Sequence, residues 1–379
     1  MLQLLNPLIY LKRNPGRSLP IAFVIMLSVT LVTGVVTIVH SIDLTIFTLY
    51  GYNRDLTGLT PRNSLAIPSS QIKKIKALPE LGYLYPTHTY QLFIKTIFGK
   101  MPFPIFGLDM DGRLRILRRT GDRLIAGRMP LEGKPEAVIS DAVAKNLGAH
   151  IGSVIAKPDS QDDYAPTPVK LVGILHGPCW LGLTSKSMVD NYSPFTYTGY
   201  LAFAPQNSQE AARHLDSAIA KVINKGLVRE WRFSGLVNET KSALSNLYLI
   251  LNLVIVLIVF SIAFVCGLLA NIYFVQRLPE TAMLSAIGYS RSLLLARSLV
   301  ETVALCMFGW ILGLGLTAGL LEAVKVWLLT PRGLLLNPFD PGAISFTLPL
   351  PAAITLFAMI TISIRLVTMD PVSIIERRG

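Results

Sequence analysis

Residues able to do chemistry are sparse in this sequence, and their spacing is poor for catalysis. The five histidines stand at His40, His88, His150, His176 and His214. None falls in the H-E-x-x-H spacing that would put two metal ligands on one helical face, and no G-x-S-x-G turn offers a serine nucleophile. His176 and Cys179 make a lone His-x-x-Cys. With no second pair to complete a tetrahedral site, a plain loop or core thiol is the favoured reading. Asp162 and Asp163 sit in a Pro- and Asp-rich stretch from Lys157 to Pro168, which reads as an exposed loop with solvated charges. An ATP-driven machine needs a phosphate cradle, yet no G-x-x-x-x-G-K-[ST] occurs, and the Gly-Lys pairs at Gly99 and Gly133 lack the following Ser or Thr. The chain is therefore not expected to be an enzyme, and any nucleotide hydrolysis belongs to another chain.

Three further groups of residues carry more information. The stretch from Gln276 to Arg291 reads as a short helix with Met283, Leu284 and Ile287 on one face, Glu280 placed early where the helix N-terminus favours an acid, and Gly288 as its stop. Taken alone it is an interfacial helix resting on lipid. Downstream, Arg297 and Glu301 stand four residues apart on one helical face, each costly in lipid unless paired, either with each other or with a partner on the 276–291 segment. Gly309 with Gly313, and Gly315 with Gly319, have the small-x-x-x-small spacing that lets helices approach closely in a bilayer, within one chain or against a second copy.

Something must hold these residues, and composition says what. The chain has 379 residues, 51% hydrophobic and only 15% charged, with mean hydropathy +0.51, which is too apolar for a soluble protein and too polar for an entirely membrane-embedded one. Four segments are long and apolar enough to cross a hydrocarbon core of about 30 Å: residues 19–42, 247–275, 293–321 and 346–367. They must be helices, because backbone groups in lipid are satisfied only within the segment. The first apolar run is too long for a signal-peptide core and is expected to stay as an anchor. Basic residues in short flanks, Lys12, Arg13 and Arg17, then Arg277 and Arg291, then Arg365, Arg377 and Arg378, put those flanks and both termini in the cytoplasm. The net charge of +12 is not gathered into a basic, aromatic-interleaved motif, so nucleic acid is not an expected partner.

The expected architecture is a membrane protein with four transmembrane helices and a large α/β extracytoplasmic domain, residues 43–241, inserted between helices 1 and 2. Around it lie an amphipathic entry helix (1–18), a stalk and second helix (242–275), a cytoplasmic segment (276–292), a short outside loop (322–345) and a tail (368–379). Within the outside region, Ser69 and Ser70 cap a short helix, Tyr83–Tyr85, Tyr90–Thr96, Ala137–Ser140 and Val169–Leu175 read as strands, Asp141–Leu147 reads as a helix ended by Gly148, and Gln209–Lys225 reads as a helix ended by Gly226. Arg113, Arg115, Arg118, Arg119, Arg123 and Arg128 form either a basic face for anionic lipid or an acidic partner, or a solvated one.

The run from Gln276 to Arg291, the following Arg297 to Glu301 and the glycine-rich third helix resemble the FtsX-like permease domain of MacB-type (type VII) ABC transporter systems. In that family a segment R-x-x-E-x-x-x-x-x-A-x-G-x-[ST] leads into a helix with an early glutamate. Arg277, Glu280, Ala286, Gly288, Ser290 and Glu301 fall in step; Pro279 and Ser285 depart from the pattern. Asn6–Ser18 resembles the family's entry helix and Asp370-Pro371-Val372 its usual close. Gly127–Pro130, Glu136–Ser140, Ala144–Gly148 and Val172–Leu175 resemble the MacB-type periplasmic core.

The resemblance implies a permease subunit in the bacterial inner membrane that moves its outside domain when a separate ATPase subunit, holding ATP and Mg, hydrolyses nucleotide. It implies contact with that ATPase through Arg277, Glu280, Met283, Leu284, Ala286, Ile287, Gly288, Ser290 and Arg291. It implies a second permease copy or paralogue, with lipid around the helices and room for a periplasmic adaptor protein, and no cofactor on this chain. Export of a peptide, lipid-linked or hydrophobic compound is the expected task. A non-transporting regulator of a cell-wall hydrolase or sensor is the alternative.

Overall fold

The computed structural model describes residues 15–96, 99–158, 165–193, 196–276 and 283–368. The expected entry helix up to residue 14, the Asp162-Asp163 pair and the Asp370-Pro371-Val372 close therefore lie outside the described residues. Two compact units divide the chain: one comprises Met1–Ser41, Asn246–Lys325 and Leu336–Gly379, the other Ile42–Ser245 with Val326–Leu335.

The first unit is helical, and four of its helices are long and apolar enough to span a membrane. The chain is thus a multi-pass membrane protein with an α/β domain between its first and second spans. Helix α1 covers Pro15–Leu49, seven residues past the expected end at Ile42. The extension follows from Ile46 and Leu49, both fully buried: Leu49 enters the core of the α/β unit, so the helical register continues beyond the membrane-length run.

The second unit is built on one ten-stranded mixed sheet. In chain order its elements are β1 (Leu56–Pro61), α2 (Ser69–Lys76), β2 (Tyr83–Thr96), β3 (Gly99–Leu108), α3 (Met110–Thr120), β4 (Arg123–Gly127), β5 (Glu136–Ser140), α4 (Asp141–Leu147), β6 (Val154–Ala156), β7 (Val169–His176), β8 (Gly182–Ser185), α5 (Lys186–Tyr192), β9 (Gly199–Phe203), α6 (Gln209–Val222), β10 (Val228–Trp231) and α7 (Phe233–Ala243). The strand order is β10-β1-β9-β2-β3-β8-β5-β7-β4, with β6 alongside β7. Pairs β3–β8 and β5–β7 are parallel. Such pairs need a crossover, and α4 supplies one after β5.

Several local expectations are corrected. Tyr83–Tyr85 and Tyr90–Thr96 are one strand, because β2 pairs with β9 over Tyr83–Thr87 and with β3 from His88 onward. Pro86 stands before the β3 pairing begins, so its missing N–H costs no bond on that side. Helix α2 is preceded by Pro68, with no serine capping it. Helix α6 stops at Val222 rather than Lys225: Ile223 turns extended to bury its side chain, and its neighbour's N–H, at Asn224, is taken by Gln71 Oε1 at 2.9 Å. Helix α4 does end at Gly148, whose φ of 64° suits glycine.

The remaining helices are α8 (Ser245–Gln276), α9 (Arg291–Val324), α10 (Pro341–Thr347) and α11 (Pro349–Thr368). The connection expected as a plain loop over 322–345 is largely helical. A π turn covers Lys325–Leu329, a 3-10 turn covers Thr330–Arg332, and α10 follows after Asp340 caps it. Residues 326–335 are part of the α/β unit. Leu329 and Leu334 join its core. Asn146 ties the segment down, donating to Arg332 O at 2.9 Å and Lys95 O at 2.7 Å while accepting from Lys95 N at 2.8 Å. Gly333 (φ 66°) passes so close that a Cβ there would lie 2.0 Å from Ala142 O. A connector treated by hydropathy as spare chain is therefore a built part of the soluble domain.

Candidate functional site

The segment between α8 and α9 is the first candidate. Arg277 and Glu280 lie outside the described residues, as does the side chain of Arg291. From Met283 the backbone makes one helical turn to Ala286. It closes with Ile287 N–H to Met283 O at 3.1 Å, Gly288 N–H to Ser285 O at 3.1 Å and Tyr289 N–H to Leu284 O at 3.2 Å. The last two bonds and Gly288 at φ 103° make a Schellman stop, the end that a glycine in the left-handed region permits. Ser290 then caps α9, its Oγ accepting from Leu293 N at 3.4 Å.

The turn presents apolar side chains outward. Ile287 is 76% exposed and Met283 52%, while Leu284 and Ser285 are half-buried and Ala286 is exposed. Two large apolar residues on a turn that is stopped sharply at Gly288 make an exposed knob, which can be covered by lipid or by another protein.

One turn into α9, Arg297 Nε lies 3.4 Å from Glu301 Oε1, with Glu301 fully buried and Arg297 16% exposed. Sharing a pair in this way relieves the cost of placing either charge in an apolar layer. Farther along α9 the glycines separate into two sets. A Cβ on Gly309 would meet Ala22 O and Ile25 at 2.9 Å, and one on Gly313 would meet Val29 at 2.7 Å and Met26 O at 2.8 Å. These two lie against α1. Gly315 and Gly319 have no described residue within 4 Å of a Cβ built on them. Close approach at Gly313 also lets hydroxyls reach its carbonyl: Thr30 donates to it at 3.2 Å and Thr317 at 2.7 Å. Sequence reasoning missed Thr30, Ala22 and Val29 as partners, since nothing in spacing along one helix names the facing residues of another.

In the α/β unit, the arginines read as a basic face are mostly committed to internal contacts. Arg113 is buried and donates to Pro130 O at 2.6 Å and to Glu132. Arg115 stacks on the Tyr83 ring at 3.4 Å and donates to the Tyr85 hydroxyl at 2.9 Å. Arg119 clasps the carbonyls of Ala204, Pro205 and Gln206. Arg128 makes two 2.6 Å bonds to Glu136 and holds that carboxyl down at about 2. Arg118 and Arg123 keep exposed side chains, and two such groups do not make a basic patch.

The His-x-x-Cys is not drawn into one site. His176 Nδ1 lies 3.1 Å from Asp141, and Cys179 is buried beside Gly51. Burial pushes the Cys179 thiol up to about 12, so it stays protonated and inert. No group of three His, Cys, Asp or Glu side chains able to hold a metal occurs among the described residues.

Residues 252–371 match the family model of the FtsX-like permease C-terminal domain, a range that includes the knob, the Arg297–Glu301 pair and α9 to α11. No curated protein matches the chain. Among solved structures it is similar to the periplasmic region of MacB from Actinobacillus actinomycetemcomitans, at 11% identity and TM-score 0.31 over 50% of this chain and 94% of that one. It is also similar to the extracellular domain of the noncanonic ABC-type transporter YknZ from Gram-positive bacteria, at 13% identity and TM-score 0.29 over 47% of this chain and all of that one.

Proposed function

We propose that this chain, whose residues 252–371 match the FtsX-like permease C-terminal family model, is the permease subunit of an ABC system, passing motion driven by a separate ATPase to its α/β domain. The exposed knob of Met283 and Ile287, closed by Gly288, carries this reading. Apolar side chains on a short, capped turn between two membrane-length helices suit a pocket on a soluble partner, and a push on such a turn passes through the Ser290 cap into α9. The ATP and Mg belong to that partner, and this chain's part is mechanical. The assembly contains two permeases and two ATPase subunits in a bacterial inner membrane, with the knob and both termini cytoplasmic and the α/β domain outside. The spans are almost free of charge apart from Arg297 and Glu301, which favours work done by the outside domain on a peptide, lipid-linked or hydrophobic compound over conduction through a polar pathway. A periplasmic adaptor is a further partner.

Replacing Glu280 by Ala together with Gly288 by Val tests the coupling, because a β-branched residue cannot comfortably hold the left-handed conformation. The double variant is expected to insert normally but to lose cargo-stimulated ATPase activity in the purified complex. Normal assembly with the ATPase and normal stimulation would remove the proposal. Stimulation only by a hydrolase or kinase partner, with none by any hydrophobic or peptide cargo, would replace export by regulation.

A further inference from the structure

One face of the sheet in the α/β unit holds a cavity of about 220 Å³. Its floor is bare because two glycines sit on it. Gly58 on β1 pairs with Trp231 and Leu201, and Gly199 on β9 pairs with Thr87. A Cβ at Gly199 would lie 2.9 Å from Leu59 O, too close to the backbone to fit without a shift, and one at Gly58 would press on Trp231 Cβ at 3.2 Å.

The walls are aromatic and fixed. Trp231 runs diagonally from its place beside Gly58 to donate Nε1–H to Thr60 Oγ1 at 2.8 Å, while Arg229 covers the ring at 3.9 Å. Asn53 locks the Trp231 backbone, donating to its carbonyl at 2.7 Å. Tyr52 meets Phe106 edge to face at 5.1 Å. At the other side Tyr197 and Thr89 hydroxyls lie 3.1 Å apart. Side chains held this way do not collapse into the space between them.

The lining states what kind of molecule fits. Aromatic rings offer flat apolar surface, while Thr60, Thr87 and Thr89 keep acceptor capacity beyond the single bonds they make. Gln91 adds an exposed amide. The described lining includes no Asp, Glu, Lys, Arg or His. Burial also pushes the Tyr50 and Tyr52 phenols up, so both stay neutral. Arg229, over the Trp231 ring, is already paired with Glu239 at 2.9 Å, so a charged ligand would be desolvated here without a free counter-charge.

We propose that this cavity is a binding site for a small uncharged molecule with an apolar ring and hydroxyl or amide groups at its edge. The size excludes a folded peptide. The site belongs to the α/β unit alone and does not rest on the partner ATPase, so failure of either idea leaves the other standing.

The test uses the full chain in lipid nanodiscs and two probes of the same shape, neutral 4-hydroxybenzamide and anionic 4-hydroxybenzoate, read by saturation-transfer NMR at about 1 mM. Wild type should bind the amide about tenfold better than the carboxylate. Gln91→Trp from β2 and Leu236→Trp from α7 fill the space from two different elements. Each should lower the amide signal at least about threefold while the melting temperature stays at the wild-type value. Should one variant melt early, the other, built on a different element, decides. No transfer from wild type, equal transfer for the two probes, or an undiminished amide signal in a well-folded variant would each overturn the proposal.

Discussion

At the residue scale, the chain spends its charges on structure. Glu136 shows how. Two bonds from Arg128 and a third from Leu131 N at 3.1 Å favour its ionised form, and the carboxyl is lowered from 4.5 to about 2. A carboxyl held below its unfolded value adds stability that is fully present above about pH 4.5 and disappears as the pH falls through about 2. Glu136→Gln is therefore expected to cost about 1–2 kcal/mol near neutral pH, with the gap to wild type in melting temperature closing between those two pH values. A gap that stays constant down to pH 2 would contradict the assignment. The pairing of Arg128 with a glutamate eight residues on was not legible in the sequence, because it depends on the bend after β4 that returns the chain to β5. Gly288 was legible: a glycine after a short apolar-faced turn has few reasons to be there other than a helix stop.

At the element scale, packing separates residues that look alike in sequence. Gly313 and Gly319 both belong to small-x-x-x-small pairs on α9, yet one meets α1 and the other meets nothing among the described residues. Gly313→Leu should prevent the close approach and lower the melting temperature of the detergent-purified chain by several degrees. Gly319→Leu should leave it within about a degree. Equal effects would show that the α1–α9 contact is not what Gly313 serves. Membrane-length helices, their number and approximate ends were readable because the bilayer demands length and apolarity and little else. The overrun of α1 to Leu49 was not, since it needs a core for Ile46 and Leu49 to enter.

At the scale of the whole molecule, the proposed orientation has a direct check. Ser70→Cys lies on exposed α2 and Ile287→Cys on the knob, whereas Cys179 and Cys306 are buried. A membrane-impermeant maleimide should label Ser70→Cys on intact spheroplasts and Ile287→Cys only after permeabilisation; the opposite pattern would invert the topology. Four spans, an inserted α/β domain and the absence of a phosphate-binding motif were determined by the sequence alone, because each follows from composition or local pattern. Tertiary structure alone decided that residues 326–335 belong to the soluble domain, that most of the arginines readable as a basic face are internal clasps, and that a cavity lies over Gly58 and Gly199. Each of those depends on which strands become neighbours in a sheet whose order is not the order of the chain, and strand order is set by long-range packing that no window of sequence contains.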